Sequence, residues 1–180
     1  MLVHTLPGVI THRYHPARGA LRNMCDLPPN EAEEIIAAVR AESGLYRKSD
    51  YLKRRLMTEA WLIDERTRKL GKTPLCRPIY FFLGDMTDDG DKMRPASITV
   101  PLKTFDPSIL TFTYPDSMTS CPQLQSQEHT AHPYRGQVYT LREIEEVVSR
   151  YGFPDPELPR HVRGLDSFIE VQVWDNRLLV

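Results

Sequence analysis

The segment from Phe168 to Trp174 constrains the fold more than any other stretch of the chain. Its apolar residues alternate, so an extended backbone puts Ile169, Val171 and Val173 on one face and Phe168, Glu170, Gln172 and Trp174 on the other. A period of two is that of a strand, and the first face is plainly made for a core. The second face sets a carboxylate and an amide between two aromatics. It reads either as a solvated outer surface or as a ligand cleft, with the aromatics supplying stacking area and the polar pair supplying directed hydrogen bonds.

Runs of β-branched and aromatic residues predict further strands at Val9 to Tyr14, Ile79 to Leu83, Ala96 to Leu102, Leu110 to Tyr114 and Gln137 to Tyr139. Helical spacing takes over elsewhere. One helix is expected from Asn30, read as a cap, with Glu31, Glu33 and Glu34 in its first turn. Its buried face is Ile35, Ile36 and Val39, and it stops at Ser43 and Gly44. A second runs from Ser49 to Leu70 with Leu52, Leu56, Ala60 and Ile63 as its buried stripe, closed by Gly71 and Pro74. A third opens on Thr140-Leu-Arg-Glu143, a capping box, continues through Ile144, Val147, Val148 and Tyr151, and ends at Gly152. A strand, then helices, then mostly strands predicts an α+β fold: a mixed, largely antiparallel sheet with about three packed helices. With 180 residues, 41% of them apolar, one core forms comfortably and a second would be thin, so residues 1–180 are read as a single domain.

No apolar run approaches the roughly 20 residues a membrane-spanning helix needs. The N-terminal MLVHTLPGVITHRYH has no basic segment, long apolar run or small-residue cleavage site, which makes a cytoplasmic location the expectation. Cys25, Cys76 and Cys121 form no C-x-x-C pair and are read as buried or idle thiols. A net charge of −1 removes the global attraction that most nucleic-acid binders show, although a local patch is compatible with it. The 15 prolines and the stretch from Cys121 to Gly136 predict long ordered loops.

Several residues carry candidate chemistry. His12 sits inside the opening strand, where an imidazole needs a partner and is either a catalytic or ribose-contacting group or a satisfied structural residue. His129 and His132, with Glu128 nearby, suggest a metal and hence a metal-assisted hydrolase, but no H-E-x-x-H accompanies them, and no metal is expected. The run DMTDDGD resembles the start of a calcium loop at Asp85, Asp89 and Gly90, yet Thr87 and Ala96 stand where ligands belong, so it reads as a solvated turn. The second helix carries Lys53, Arg54, Arg55, Arg66, Arg68 and Lys69, which could track phosphates. The interspersed Glu59, Asp64 and Glu65 make it equally an ordinary helix surface. Phosphate loops and nucleophile elbows are absent.

Four segments together carry a resemblance: Ile10-Thr11-His12; Pro78-Ile-Tyr-Phe-Phe82; Ser97 to Leu102 with Leu110-Thr-Phe-Thr-Tyr-Pro-Asp116; and Phe168-Ile-Glu170-Val-Gln172-Val. They resemble, in order, the NAD-contacting first strand, the following aromatic strand, the later paired strands and the glutamate-bearing strand of the ADP-ribosyltransferase-like superfamily. The nearest group is that of DarT-type toxins, which modify nucleic acid using NAD. The resemblance covers about a third of the chain, and the segment from His15 to Asn23 departs from the helix that usually follows the first strand.

The resemblance implies an enzyme that cleaves NAD between nicotinamide and ribose and passes ADP-ribose to a protein or nucleic-acid acceptor. It implies Glu170 and His12 as catalytic residues and Thr11, Arg13, Tyr80 and Gln172 as NAD-contacting ones. Tyr80 or Phe81 would stack on the nicotinamide, while His12 and Thr11 would orient a ribose. The competing expectation is a non-catalytic interaction domain that uses the Cys121 to Gly136 loop and the basic second helix.

Overall fold

β-Branched and aromatic side chains dominate five segments, and these five lie side by side. The computed structural model describes residues 2–43, 48–87, 90–125, 132–155 and 167–179. Its elements in chain order are β1 (Leu2–Val3), β2 (Val9–Tyr14), α1 (Pro29–Ser43), α2 (Tyr51–Leu70), β3 (Ile79–Leu83), β4 (Ala96–Pro101), β5 (Leu110–Thr113), α3 (Ser117–Ser120), α4 (Leu141–Tyr151), β6 (Phe153–Pro154) and β7 (Glu170–Val173). The main sheet has the order β4-β2-β3-β7-β5, and each neighbouring pair is antiparallel. β1 and β6 form a separate antiparallel pair. The α+β architecture is as expected, with one more helix than anticipated: the single turn α3, capped by the Asp116 carboxylate, which accepts from the Thr119 amide.

Register decides which side chains share a face. Thr11 pairs with Phe82, Phe82 with Glu170 and Glu170 with Thr113, so these four form one row. Tyr80, Gln172 and Thr111 form the next row on the same face. Phe81, Val171 and Phe112 point the other way. On that side Ile10, Leu83, Val171 and Val173 pack with Ile144 and Val148 of α4, and all six are fully buried.

The polar row is covered as well, by α2. Trp61 and Leu62 pack against Trp174, Cys121 and Val138, and α1 lies further out, its Ala32 and Ile36 packing with Leu52 of α2. The sheet is therefore sandwiched between α4 and α2. Among the described residues no helix is long and apolar enough to cross a membrane.

Local signals held where they were strongest. The capping box of α4 is present in full, with the Thr140 hydroxyl accepting from the Glu143 amide and the Glu143 carboxylate accepting from the Thr140 amide. Lys69 of α2 donates to the same carboxylate at 2.6 Å, tying the two helices together. Gly152, at φ 66°, closes α4, and a side chain there would press on the Val3 carbonyl at 3.1 Å.

Other expectations need correction. α1 starts at Pro29, not after an Asn30 cap, because proline fits the first helical position, where no amide is needed. α2 starts at Tyr51 after Asp50, with no side-chain cap, so Ser49 does not serve as one. Gln137 to Tyr139 makes a single bridge, Tyr139 with Phe112, in place of a strand. Gly44, part of the expected end of α1, lies outside the described residues.

The largest correction concerns the rotation of α2. Its buried residues are Leu52, Thr58, Glu59, Trp61, Leu62 and Arg66, while Ala60 is exposed and Leu56 retains 39% of its surface. The expected stripe of Leu52, Leu56, Ala60 and Ile63 assumed an apolar partner. The sheet face beneath α2 is polar, and it turns the charged side of the helix inward.

Candidate functional site

The side chains on the sheet face toward α2 are Tyr80, Glu170, Gln172, Thr111, Thr113 and Trp174, and all but Tyr80 are joined in a hydrogen-bonded ladder. The Trp174 indole donates to the Thr111 hydroxyl at 2.8 Å, and Thr111 donates to Gln172 Oε1 at 2.9 Å. Gln172 Nε2 then donates both to Thr113 Oγ1 and to Glu170 Oε1, each at 3.1 Å. Burial declines along the strand: Trp174 and Gln172 are sealed, whereas Glu170 and Phe168 stay partly open. The second face of β7 is thus neither wholly solvated nor wholly core. It is a buried polar seam that opens at Glu170.

α2 supplies the charges facing this seam, Arg55 and Glu59, four residues apart on one side of the helix. The Arg55 guanidinium lies over the Tyr80 ring, 4.1 Å from its centroid, and donates to the Ser117 hydroxyl at 3.3 Å. The Ser117 amide in turn donates to Glu170 Oε1 at 3.3 Å. The Tyr80 hydroxyl donates to Glu59 Oε1, and Asn23 Nδ2 donates to the same oxygen at 2.9 Å. Asn23 is held in place because its own Oδ1 accepts from the Cys25 amide, capping the 3-10 turn Met24–Asp26.

Desolvation pushes the Glu170 pKa up, Asp116 adds to that, and Arg55, the Ser117 amide and Gln172 oppose it without cancelling it. Burial also raises the Tyr80 pKa well above the ordinary phenol value, with Glu59 and Glu170 adding to that and Arg55 opposing it. The phenol therefore stays a neutral donor. Burial works against the charge of Arg55, yet Tyr80, Glu170, Tyr51 and Glu59 together more than offset it and hold the guanidinium charged. The ring of Phe82, paired across the strands with Glu170, meets that of Phe168 edge to face at 4.8 Å, and Arg94, ion-paired with Asp91 at 2.6 Å, stands 5.3 Å over Phe82. A carboxylate is thus placed beside one cation, Arg55, and next to an aromatic pair. That set can stabilise a developing positive charge, hold a diphosphate and stack a ring.

The other expected site residues fall in different places. Alternation along β2 puts His12 on the face of Ile10, opposite to Glu170, where its ring packs 5.2 Å from Phe81. Nδ1 faces the Tyr80 carbonyl at 2.8 Å and Nε2 accepts from the Leu21 amide at 2.9 Å, so the imidazole bridges β2, β3 and the Leu21 loop. Thr11 is buried, donating to the Gly84 carbonyl and accepting from the Met86 amide. Arg13 donates to the carbonyls of Arg94, Met86, Thr87 and Asp91 and staples that loop to the sheet. Tyr80 and Gln172 do join Glu170. Thr11, His12 and Arg13 are engaged with backbone around it.

The remaining candidates separate too. His132 stacks on Tyr134 at 5.1 Å, while Glu128, His129 and Asp89 lie outside the described residues. Among the described residues no three potential metal ligands come together. The cations of α2 form no single track: Arg66 turns inward to the Gly71 and Ser108 carbonyls, Arg68 pairs with Glu65 and Lys69 pairs with Glu143. Cys25 and Cys121 are buried, and burial together with Glu59 pushes the Cys25 thiol up to about 11, so it is unreactive.

Three contributors were not singled out from sequence: Glu59, Ser117 and Arg94. For Glu59 a signal existed, since it stands seven residues after Leu52 and four after Arg55, on one helical face.

Burial lowers the His12 pKa, the Tyr80 carbonyl opposes this and Arg94 adds to it. Below about pH 6.5 the unfolded chain takes a proton that the folded chain resists. Stability contributed by His12 is therefore complete above that pH and is lost as pH falls below it. Urea midpoints at pH 7.5 and 5.5 are expected to fall further for the wild type than for His12→Gln. An equal drop in both would remove His12 as the cause.

No family model, curated protein or solved structure matches the chain.

Proposed function

We propose that the chain is an NAD-consuming transferase of the ADP-ribosyl type, acting in the cytoplasm on a protein or nucleic-acid acceptor. The observation that carries this reading is the setting of Glu170. It is a largely buried carboxylate at the less sealed end of a buried polar seam, with Arg55 and Tyr80 on one side and the Phe82–Phe168 pair beside it. NAD as substrate suits that set: Glu170 for the ribose that becomes cationic, an arginine for the diphosphate and Phe168 for a ring.

In the reaction the bond between ribose C1′ and the nicotinamide nitrogen breaks, and its electron pair neutralises the pyridinium. The ribose passes through an oxocarbenium-like state, which an ionised Glu170 stabilises while accepting a hydrogen bond from a ribose hydroxyl. An acceptor oxygen or nitrogen then bonds to C1′ and loses its proton.

Nicotinamide release from NAD, followed with and without protein and nucleic-acid acceptors, tests the reading. Release is expected, and its rate should fall as pH drops through the Glu170 pKa, which burial places above the ordinary carboxylate value. No release with any acceptor would favour the second reading, an interaction domain. The observation behind that alternative is the shallow, mainly apolar surface formed by Leu52, Leu56, Met57 and Ala60 of α2, with Lys53 of the same helix and Glu33 of α1 at its edge.

A further inference from the structure

Glu59 is 1% exposed, yet it is a carboxylate in the middle of a helix–sheet interface. An apolar residue of similar size would serve packing alone better, because a buried charge must recover its lost hydration from its partners. Those partners are incomplete. Oε1 accepts from Asn23 and Tyr80 and lies 3.8 Å from Arg55 Nε, while among the described residues Oε2 has Arg77 Nε at 3.7 Å and no hydrogen-bond partner. What the arrangement does achieve is to engage one edge of Arg55 and the hydroxyl of Tyr80. The other edge of Arg55 reaches Ser117, and Ser117 reaches Glu170.

We propose that Glu59 is a positioning residue for Glu170: by sharing Arg55 and anchoring Tyr80 it keeps the guanidinium from closing onto Glu170, leaving that carboxylate open to a ribose. This rests on the NAD reading for its functional sense, but its electrostatic content stands apart from it. The charged and titratable groups facing Glu170 are Arg55 from α2, Tyr80 from β3 and Asp116 before α3. Those facing Glu59 are Arg55, Tyr80, Arg77, Asn23 and the Cys25 thiol, with Asp26 paired to Arg77. Arg55 is shared between Glu59 and Glu170, so removing the Glu59 charge leaves the cation to Glu170 and favours its ionised form.

The test is a carboxyl-carbon NMR titration of Glu170 in wild type, Glu59→Gln and Glu59→Asp, with nicotinamide release measured on the same samples. The Glu170 midpoint should move to lower pH in Glu59→Gln and stay near wild type in Glu59→Asp. The acidic limb of release should follow it, with kcat/KM for NAD reduced about 10- to 100-fold in Glu59→Gln. A loss of fold alone would reduce the amplitude without moving the limb.

An unchanged or raised Glu170 midpoint in Glu59→Gln overturns the proposal. If that variant does not fold, Tyr80→Phe replaces it: without the phenol Glu59 draws harder on Arg55, so the Glu170 midpoint should rise, and no rise overturns the proposal equally. A wild type that releases no nicotinamide removes the NAD reading, while the titration still decides whether Glu59 tunes Glu170.

Discussion

Glu170→Gln is expected to lower nicotinamide release by at least about 10²- to 10³-fold, the range seen when one preorganised electrostatic partner of a transition state is removed. The substitution keeps the side-chain length and an oxygen able to accept from the Ser117 amide and Gln172 Nε2, so the polar ladder survives. Burial already disfavours the charged form at this position, and a neutral amide is therefore tolerated in the fold. The signature is a large loss of rate with an unchanged melting temperature. Glu170→Asp, which retains the charge but withdraws it from the ribose, should keep part of the activity. Full activity in Glu170→Gln would remove the residue from the chemistry and with it the central support of the transferase reading.

The second large effect is on stability. Trp174→Ala should cost about 3–5 kcal/mol, as for other buried aromatic truncations, which for a chain of this size lowers the melting temperature by about 6–20 °C. Trp174 is 1% exposed and joins Trp61 and Leu62 of α2 to Cys121 and Val138 on the sheet side. Its indole also begins the ladder that runs through Thr111 and Gln172 to Glu170. Trp174→Phe keeps most of the packing and loses the indole hydrogen bond, so a smaller cost of about 1–2 kcal/mol is expected. Differential scanning calorimetry of the two variants checks both values. Equal melting temperatures for Trp174→Ala and wild type would show that α2 is not held through this contact.

Legibility in the sequence followed the strength of local signals. Val9–Tyr14 and Ile79–Leu83 were readable to the residue, because β-branched and aromatic runs leave the backbone one extended solution. α4 was equally plain, since its capping box satisfies backbone amides with side chains three residues apart. The rotation of α2 was not readable. Its sequence offers an apolar stripe through Leu56 and Ala60 and a polar one through Arg55 and Glu59, and only the face it meets chooses between them.

The same division runs through the candidate site. Alternation by itself determined that Glu170, Gln172, Phe168 and Trp174 share one face of a strand and that Ile169, Val171 and Val173 fill a core, because side-chain direction in a strand is a local property. Tertiary structure decided everything that depends on what lies across from that face. It brought Ser117 and Arg55 to Glu170 from 53 and 115 residues away and Glu59 to Arg55 and Tyr80, and it placed His12 on the opposite side of the sheet. Long-range pairing carries no period in the sequence; it is set by strand order, register and the side of α2 that buries best, and these exist only once the chain has closed.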